Sequence, residues 1–138
     1  MDLLYILLII PAIFILGSFL ASQLSGWKRL EQKYYYSYKY QGPLLHPMVA
    51  LMGLGKYSGI LNVGYTPQGL YLFPSFFFQL FHKPLLIPWN EITTGHKTYM
   101  LVTYTALKFN VNPPVALLVT DKFAERLFKA VYGDSFQL

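Results

Sequence analysis

The chain offers few side chains whose types and spacing suit acid–base, metal or phosphate chemistry. His46, His82 and His96 stand 36 and 14 positions apart with no HExxH or other paired spacing. Each neighbours Pro, Gly or Lys, which reads as a surface turn and not as a metal ligand. Glu91 and Asp121 are the acids of the β-rich part ahead of the final helix. Glu91 suits a bend and Asp121 a helix N-cap, whereas a general acid–base pair needs both at one pocket. Gly53-Leu54-Gly55-Lys56 lacks the GxxxxGK[ST] spacing of a phosphate loop and reads as a flexible turn. There is no GxSxG elbow. With no cysteine, disulfides, thiolate metal sites and a Cys nucleophile are excluded. The expectation is a non-enzymatic protein with no cofactor and no metal site.

The elements around these residues carry more information. The 138 residues suffice for one domain and one apolar helix, and hydrophobic residues make up 54% with a mean hydropathy of +0.37. From Leu3 to Leu20 no side chain is charged, and the 22 residues Leu3–Leu24 measure about 33 Å as a helix. That matches a hydrocarbon core of about 30 Å. A cleaved leader would need a basic start, a shorter apolar run and a better cleavage site than Ala21-Ser22-Gln23. A buried core helix would carry a polar face. Residues 1–24 are therefore expected to be a transmembrane helix, and pieces of the chain after it to form a juxtamembrane helix and linker at 25–44 and a domain at 45–138.

All eleven Lys and Arg residues lie beyond the apolar run. Lys28, Arg29, Lys33 and Lys39 follow it closely with only Glu31 opposing them, and positive flanks stay cytoplasmic. The expected topology is single-pass in the inner membrane, N-terminus out, C-terminal domain cytoplasmic. The basic excess suits an anionic membrane surface better than nucleic acid, because a bilayer is already at hand. Trp27, Leu30 and Tyr34 recur at i, i+3, i+7 in a short helix. Trp27, Lys28, Arg29 and Lys33 are the expected membrane-interface residues. The tyrosines of 34–40 alternate as in an extended segment.

Beyond Pro47 turn signals come at short intervals, and the aromatic fraction of 18% favours strands. Expected strands are 60–65, 70–73, 76–81 (with Phe76, Phe78 and Leu80 on one face), 85–89, 99–104, 107–111 and 115–120. Thr66-Pro67-Gln68-Gly69 is a turn, with Gly69 at a φ > 0 position. The period then changes: Phe123, Leu127, Phe128 and Val131 form a helical stripe, with Gly133 placed to end it. Trp89, Leu70, Leu72, Ile87, Phe123 and Leu127 are expected in the core.

The string Gly64-Tyr65-Thr66-Pro67-Gln68-Gly69-Leu70-Tyr71-Leu72, followed by Pro84-Leu85-Leu86-Ile87-Pro88-Trp89-Asn90-Glu91-Ile92, is similar to the pattern of PH-like and GRAM-like domains. The final strand leading into Thr120-Asp121-Lys122-Phe123-Ala124-Glu125-Arg126-Leu127 also resembles that family. An apolar span followed by Gly26-Trp27-Lys28-Arg29-Leu30 resembles small bacterial membrane proteins that carry this domain. The resemblance implies a mainly β fold, a seven-stranded bent barrel capped by a C-terminal helix. Family members that bind phosphoinositides use basic residues in the loop after the first strand, and Thr66-Pro67-Gln68 has none. The resemblance therefore implies a membrane-anchored interaction module that binds a protein partner or its own copies. The alternatives are a peripheral binder of anionic lipid and a small accessory subunit of a membrane complex. Protease treatment of sealed, right-side-out vesicles should leave the domain intact; digestion from the outer side would reverse the topology.

Overall fold

The computed structural model describes residues 2–53, 55–75, 79 and 81–133. Helix α1, Leu3–Leu24, runs through Pro11 without breaking. It stops where Gly26 adopts φ 89°, a left-handed conformation that glycine takes without a Cβ clash. The chain is thereby redirected into α2, Trp27–Tyr34. The i, i+3, i+7 stripe of α2 is turned inward: Trp27, Leu30 and Tyr34 are all buried.

Nine strands follow among the described residues: β1 Leu44–Leu45, β2 Ala50–Met52, β3 Gly55–Lys56, β4 Leu61–Tyr65, β5 Gly69–Pro74, β6 Leu85–Pro88, β7 Ile92–Tyr99, β8 Val102–Phe109 and β9 Val115–Thr120. A 3₁₀ turn, Trp89–Glu91, separates β6 from β7, and α3 spans Asp121–Tyr132. The strands form two antiparallel sheets, ordered β1-β4-β5-β6 and β3-β2-β9-β8-β7. They do not close into one seven-stranded barrel. Each sheet is a meander of consecutive strands extended at one edge from the 44–56 region: β1 joins the first sheet, and β2 and β3 join the second, where β2 pairs with the last strand, β9.

Period-two alternation places Leu61, Val63, Leu70, Leu72, Leu85 and Ile87 of the first sheet inward. Leu107, Phe109, Val115, Leu117 and Val119 of the second sheet meet them in one core. Phe123, Ala124, Leu127 and Phe128 bring the apolar stripe of α3 onto the same core. The N-cap of α3 is Thr120, whose hydroxyl accepts from the Phe123 amide at 3.1 Å. Asp121, expected in that role, lies in the first turn and accepts from the Thr105 hydroxyl at 2.6 Å. Gly133 ends the helix at φ 79°.

Several expectations change. Gly69 is not at a positive φ; it opens β5, and a Cβ there would stand 2.4 Å from the Ile87 carbonyl oxygen. It is glycine because two strands approach closely, while the turn is held by Thr66 Oγ1 accepting from the Gly69 and Gln68 amides at 3.0 and 3.1 Å. Trp89 packs at the core's rim, partly buried, its indole N–H donating to the Thr66 carbonyl at 2.8 Å. The expected strand 99–104 is broken by a hairpin turn at Met100-Leu101: Tyr99 ends β7 and pairs with Val102, which opens β8, and β8 continues through the expected strand 107–111 as far as Phe109. Phe76, Phe78 and Leu80 lie outside the described residues, and Phe81 is in a turn at φ 64°. The tyrosine tract covers the outer face of the first sheet. Tyr40 stacks on Tyr71 with ring centroids 4.5 Å apart, and Tyr36 meets the same ring edge-on at 6.0 Å.

Trp27 is wholly buried, and Trp89 is not. Trp27→Ala should therefore cost about 3–5 kcal/mol, and Trp89→Ala clearly less. Urea denaturation in mild detergent measures both, and equal losses would contradict this core.

Candidate functional site

The described part of the chain carries two candidate features, one near the β3 edge of the five-stranded sheet and one at its β7 edge. The first is the seam between α1 and the sheets. Gly17, Ser18, Ala21, Ser22 and Ser25 share one face of the helix by their spacing. Ser18 and Ser22 are the only buried residues of α1; its apolar side chains point outward. Ser22 satisfies its hydroxyl locally, donating to the Phe19 carbonyl at 2.7 Å. Ser18 and Ser25 reach across to the domain instead.

There His82, 2% exposed, bridges two hydroxyls. Its Nδ1 lies 3.3 Å from Ser18 Oγ and its Nε2 2.8 Å from the Tyr57 hydroxyl. Tyr57 in turn lies 2.9 Å from Ser25 Oγ, and Ser25 Oγ accepts from the Trp27 amide at 3.2 Å. The Trp27 ring stands edge-on to His82, and its indole N–H donates to the Lys83 carbonyl at 2.9 Å. Burial pushes the Tyr57 phenol up to about 12, with the hydrogen bond from Ser25 opposing the shift. The phenol is thus neutral at physiological pH and serves as a hydrogen-bonding link. The close approach of backbone to backbone requires Gly53, at φ 56°, where a Cβ would lie 2.7 Å from the Leu24 carbonyl oxygen.

Beside this seam lies a cleft of about 300 Å³, lined by Ile13, Phe14, Gly17, Ser18 and Ala21 of α1 and by Lys56, Tyr57, Ile60 and His82 of the domain.

The second feature is the tip of the β7–β8 hairpin. Tyr99 pairs with Val102, leaving a two-residue loop, Met100-Leu101, with φ 53° and 69°. Two positive φ values in succession are the signature of a type I′ turn, which favours Asn-Gly. Met and Leu each pay a steric cost of about 1–2 kcal/mol in that conformation. Met100 is 78% and Leu101 99% exposed, and Tyr99 and Val102 beside them are also exposed.

The residues expected at the membrane interface behave differently. Trp27 is 0% exposed and belongs to the core, because its indole finds a carbonyl partner there. Lys28 pairs with Glu31 at 3.4 Å and Lys33 with Glu91 at 3.3 Å. Lys33 also donates to the Asn110 carbonyl at 2.7 Å. Glu91 accepts from the Asn110 side-chain amide at 2.6 Å, and that bond, with Lys33 beside it, holds its carboxyl below the usual range. Arg29 lines a groove of about 500 Å³ with Gln32, Lys33 and residues 110–112. Of the core residues expected from the sequence, Leu70, Leu72, Ile87, Phe123 and Leu127 are buried.

His46 is exposed, and His96 approaches Asp121 at 3.8 Å. The three histidines are not brought together. No group of three or more His, Asp or Glu suited to a metal ion occurs among the described residues. His82 was expected on the surface because it neighbours Lys83-Pro84; the signal that could have placed it is the phenylalanine-rich run before it, which favours an apolar setting. Comparison with family models, curated proteins and solved structures finds no match to this chain.

An unfolded tyrosine ionises near pH 10, before Tyr57 does in the folded chain. Its contribution to stability is therefore whole below about pH 10 and is lost as the pH rises toward 12. The stability advantage of the natural chain over Tyr57→Phe should shrink by roughly 2–3 kcal/mol across that window. A difference that stays constant in alkaline denaturation curves would remove Tyr57 from the buried network.

Proposed function

We propose that this chain is a single-pass, membrane-anchored, non-enzymatic interaction module of the inner membrane. Its domain stands on the cytoplasmic side and captures a protein partner through the apolar tip of the β7–β8 hairpin. One observation carries the reading: Met100 and Leu101 occupy a turn that disfavours them and hold their side chains in solvent. A position that opposes both local backbone preference and hydrophobic burial is explained by contact with another molecule.

The occupant this reading assigns is a protein. α1 packs near β3, one edge of the five-stranded sheet, and the tip belongs to the opposite edge. Four strand spacings separate the two edges, about 19 Å, so α1 leaves the tip uncovered.

Support for the anchor is the composition and exposure of α1, which is long and apolar enough to cross a membrane. Lys28, Arg29, Lys33 and Lys39 after it support the cytoplasmic orientation. Support for a PH-like relationship is the chain order: one antiparallel meander, β4-β5-β6, a second, β7-β8-β9, and then a helix. The reading of the basic stretch after α1 as a headgroup-binding patch loses ground because Lys28 and Lys33 are paired with Glu31 and Glu91.

The double variant Met100→Asn, Leu101→Gly supplies the residues this turn favours and removes both apolar side chains. It should raise stability on the order of 1–2 kcal/mol. A photo-crosslinker at position 99 should give a discrete protein adduct in intact cells with the natural tip and lose it with the variant tip. An adduct of twice the chain mass would identify a second copy as the partner. A stabilised variant that still forms the adduct overturns the proposal.

A further inference from the structure

We propose that the cleft between α1 and the domain is a lateral lipid site. It takes one acyl chain of a phospholipid with a net negative headgroup, and Lys56 holds the phosphate. This rests on α1 spanning the bilayer.

Depth is the first argument. The α1 residues that line the cleft, Ile13 to Ala21, precede the end of the helix at Leu24 by three to eleven positions. At 1.5 Å per residue that is about 5–16 Å into the span. A helix of about 33 Å matches the hydrocarbon core end to end. The cleft therefore opens within the acyl-chain region of the leaflet on the domain side. The medium that fills it is hydrocarbon.

Chemistry is the second argument. Ile13, Phe14, Ala21 and Ile60 supply apolar walls, and Gly17 leaves one wall without a side chain. Tyr57, His82 and Ser18 also line the cleft, but their polar atoms are hydrogen-bonded along the seam. Walls of this kind suit a methylene chain. The volume of about 300 Å³ is at the small end for a ligand cleft, sized for part of one chain and not for a whole lipid.

Lys56 is the charged residue of the lining and is exposed. A lysine at the edge of a bilayer lays its stem along apolar surface and carries its ammonium to the headgroup level. β3 is an edge strand, so nothing on its outer side in that sheet competes for the position. An anionic phosphate is the group that the headgroup level supplies to such a cation.

The full-length chain, purified in mild detergent and reconstituted in nanodiscs of mixed phosphatidylglycerol and phosphatidylcholine, provides the test. Native mass spectrometry after ejection from the nanodisc should show one retained phospholipid, enriched in phosphatidylglycerol. Gly17→Leu should abolish retention: Gly17 lines the cleft and a Cβ there meets nothing within 4 Å, so the added side chain starts from open space beside it. Ile60→Trp fills the same space from the other wall and should act alike. Lys56→Gln should retain the lipid but lower the preference for phosphatidylglycerol about fivefold. Retention unchanged by Gly17→Leu overturns the site, as does a dimer mass with no lipid. Carbonate extraction reports separately on the anchor. A chain that resists extraction yet retains no lipid sinks the lipid site alone; a chain released by carbonate sinks the membrane reading itself.

Discussion

The structure depends on how the polar atoms of one helix face are satisfied. α1 and its C-cap carry their serine hydroxyls on a single face, and in an apolar medium each unpaired hydroxyl costs several kcal/mol. Ser18 and Ser25 meet that demand through His82 and Tyr57, side chains from two separate loops of the domain. Such bonds are directional, so the network fixes the rotation of α1 about its own axis as well as its distance. The remaining faces of the helix, which are apolar, are turned away from the protein together. One turn of slip toward the N-terminus would bring Phe14 to face the imidazole in place of Ser18 and leave the His82 nitrogen without that partner.

That constraint passes directly to the rest of the fold. Gly26 redirects the chain immediately after Ser25, so α2 enters the core with no intervening linker. Trp27, Leu30 and Tyr34 then become part of the packing between the sheets. Glu31 accepts from the Lys83 amide at 2.8 Å, next to the Trp27–Lys83 bond, which ties α2 to the segment that carries His82. At the other end of α2, Lys33 and Tyr34 both reach the Asn110 carbonyl, between β8 and β9. α1, α2 and both sheets are thus mechanically one piece. A domain joined this way does not swing on a tether, and its surfaces keep a fixed bearing to the helix axis.

Much of this was legible in the residues, for definite reasons. The apolar run, the hairpin at Thr66–Gly69 and the final helix obey local rules: length, turn chemistry and periodicity. Trp27 shows where local rules stop. Its i, i+3, i+7 stripe marks one apolar face correctly, but a bilayer surface and a protein core are equally apolar destinations. Only the tertiary partner, the Lys83 carbonyl, decides between them. His82 fails for a related reason. A histidine beside Lys and Pro has the composition of a surface loop, and burial follows from two hydroxyls distant in sequence. The residues of Tyr99–Tyr104 suit a continuous strand, and nothing in Met100-Leu101 announces a turn. Cross-strand pairing of eight residue pairs from Ile92↔Phe109 to Tyr99↔Val102 bends the chain there despite the residue types.

That last failure has a physical meaning. A sequence that folds well has local preferences that agree with its global structure, and departures gather where another requirement applies. Asn-Gly at 100–101 would serve the hairpin better, expose less apolar surface and cost nothing in the core. The chain instead places Met and Leu there, at the edge of the five-stranded sheet opposite the one α1 packs near. The cleft beside α1 and the strained tip are carried by one continuously bonded structure, because the seam and the contacts of α2 tie α1 to both sheets. Whatever binds the tip is therefore held at a set distance and a set rotation relative to α1. Under the proposed function, this geometry suits a module that positions a partner, because positioning is the one property a flexible tether could not provide.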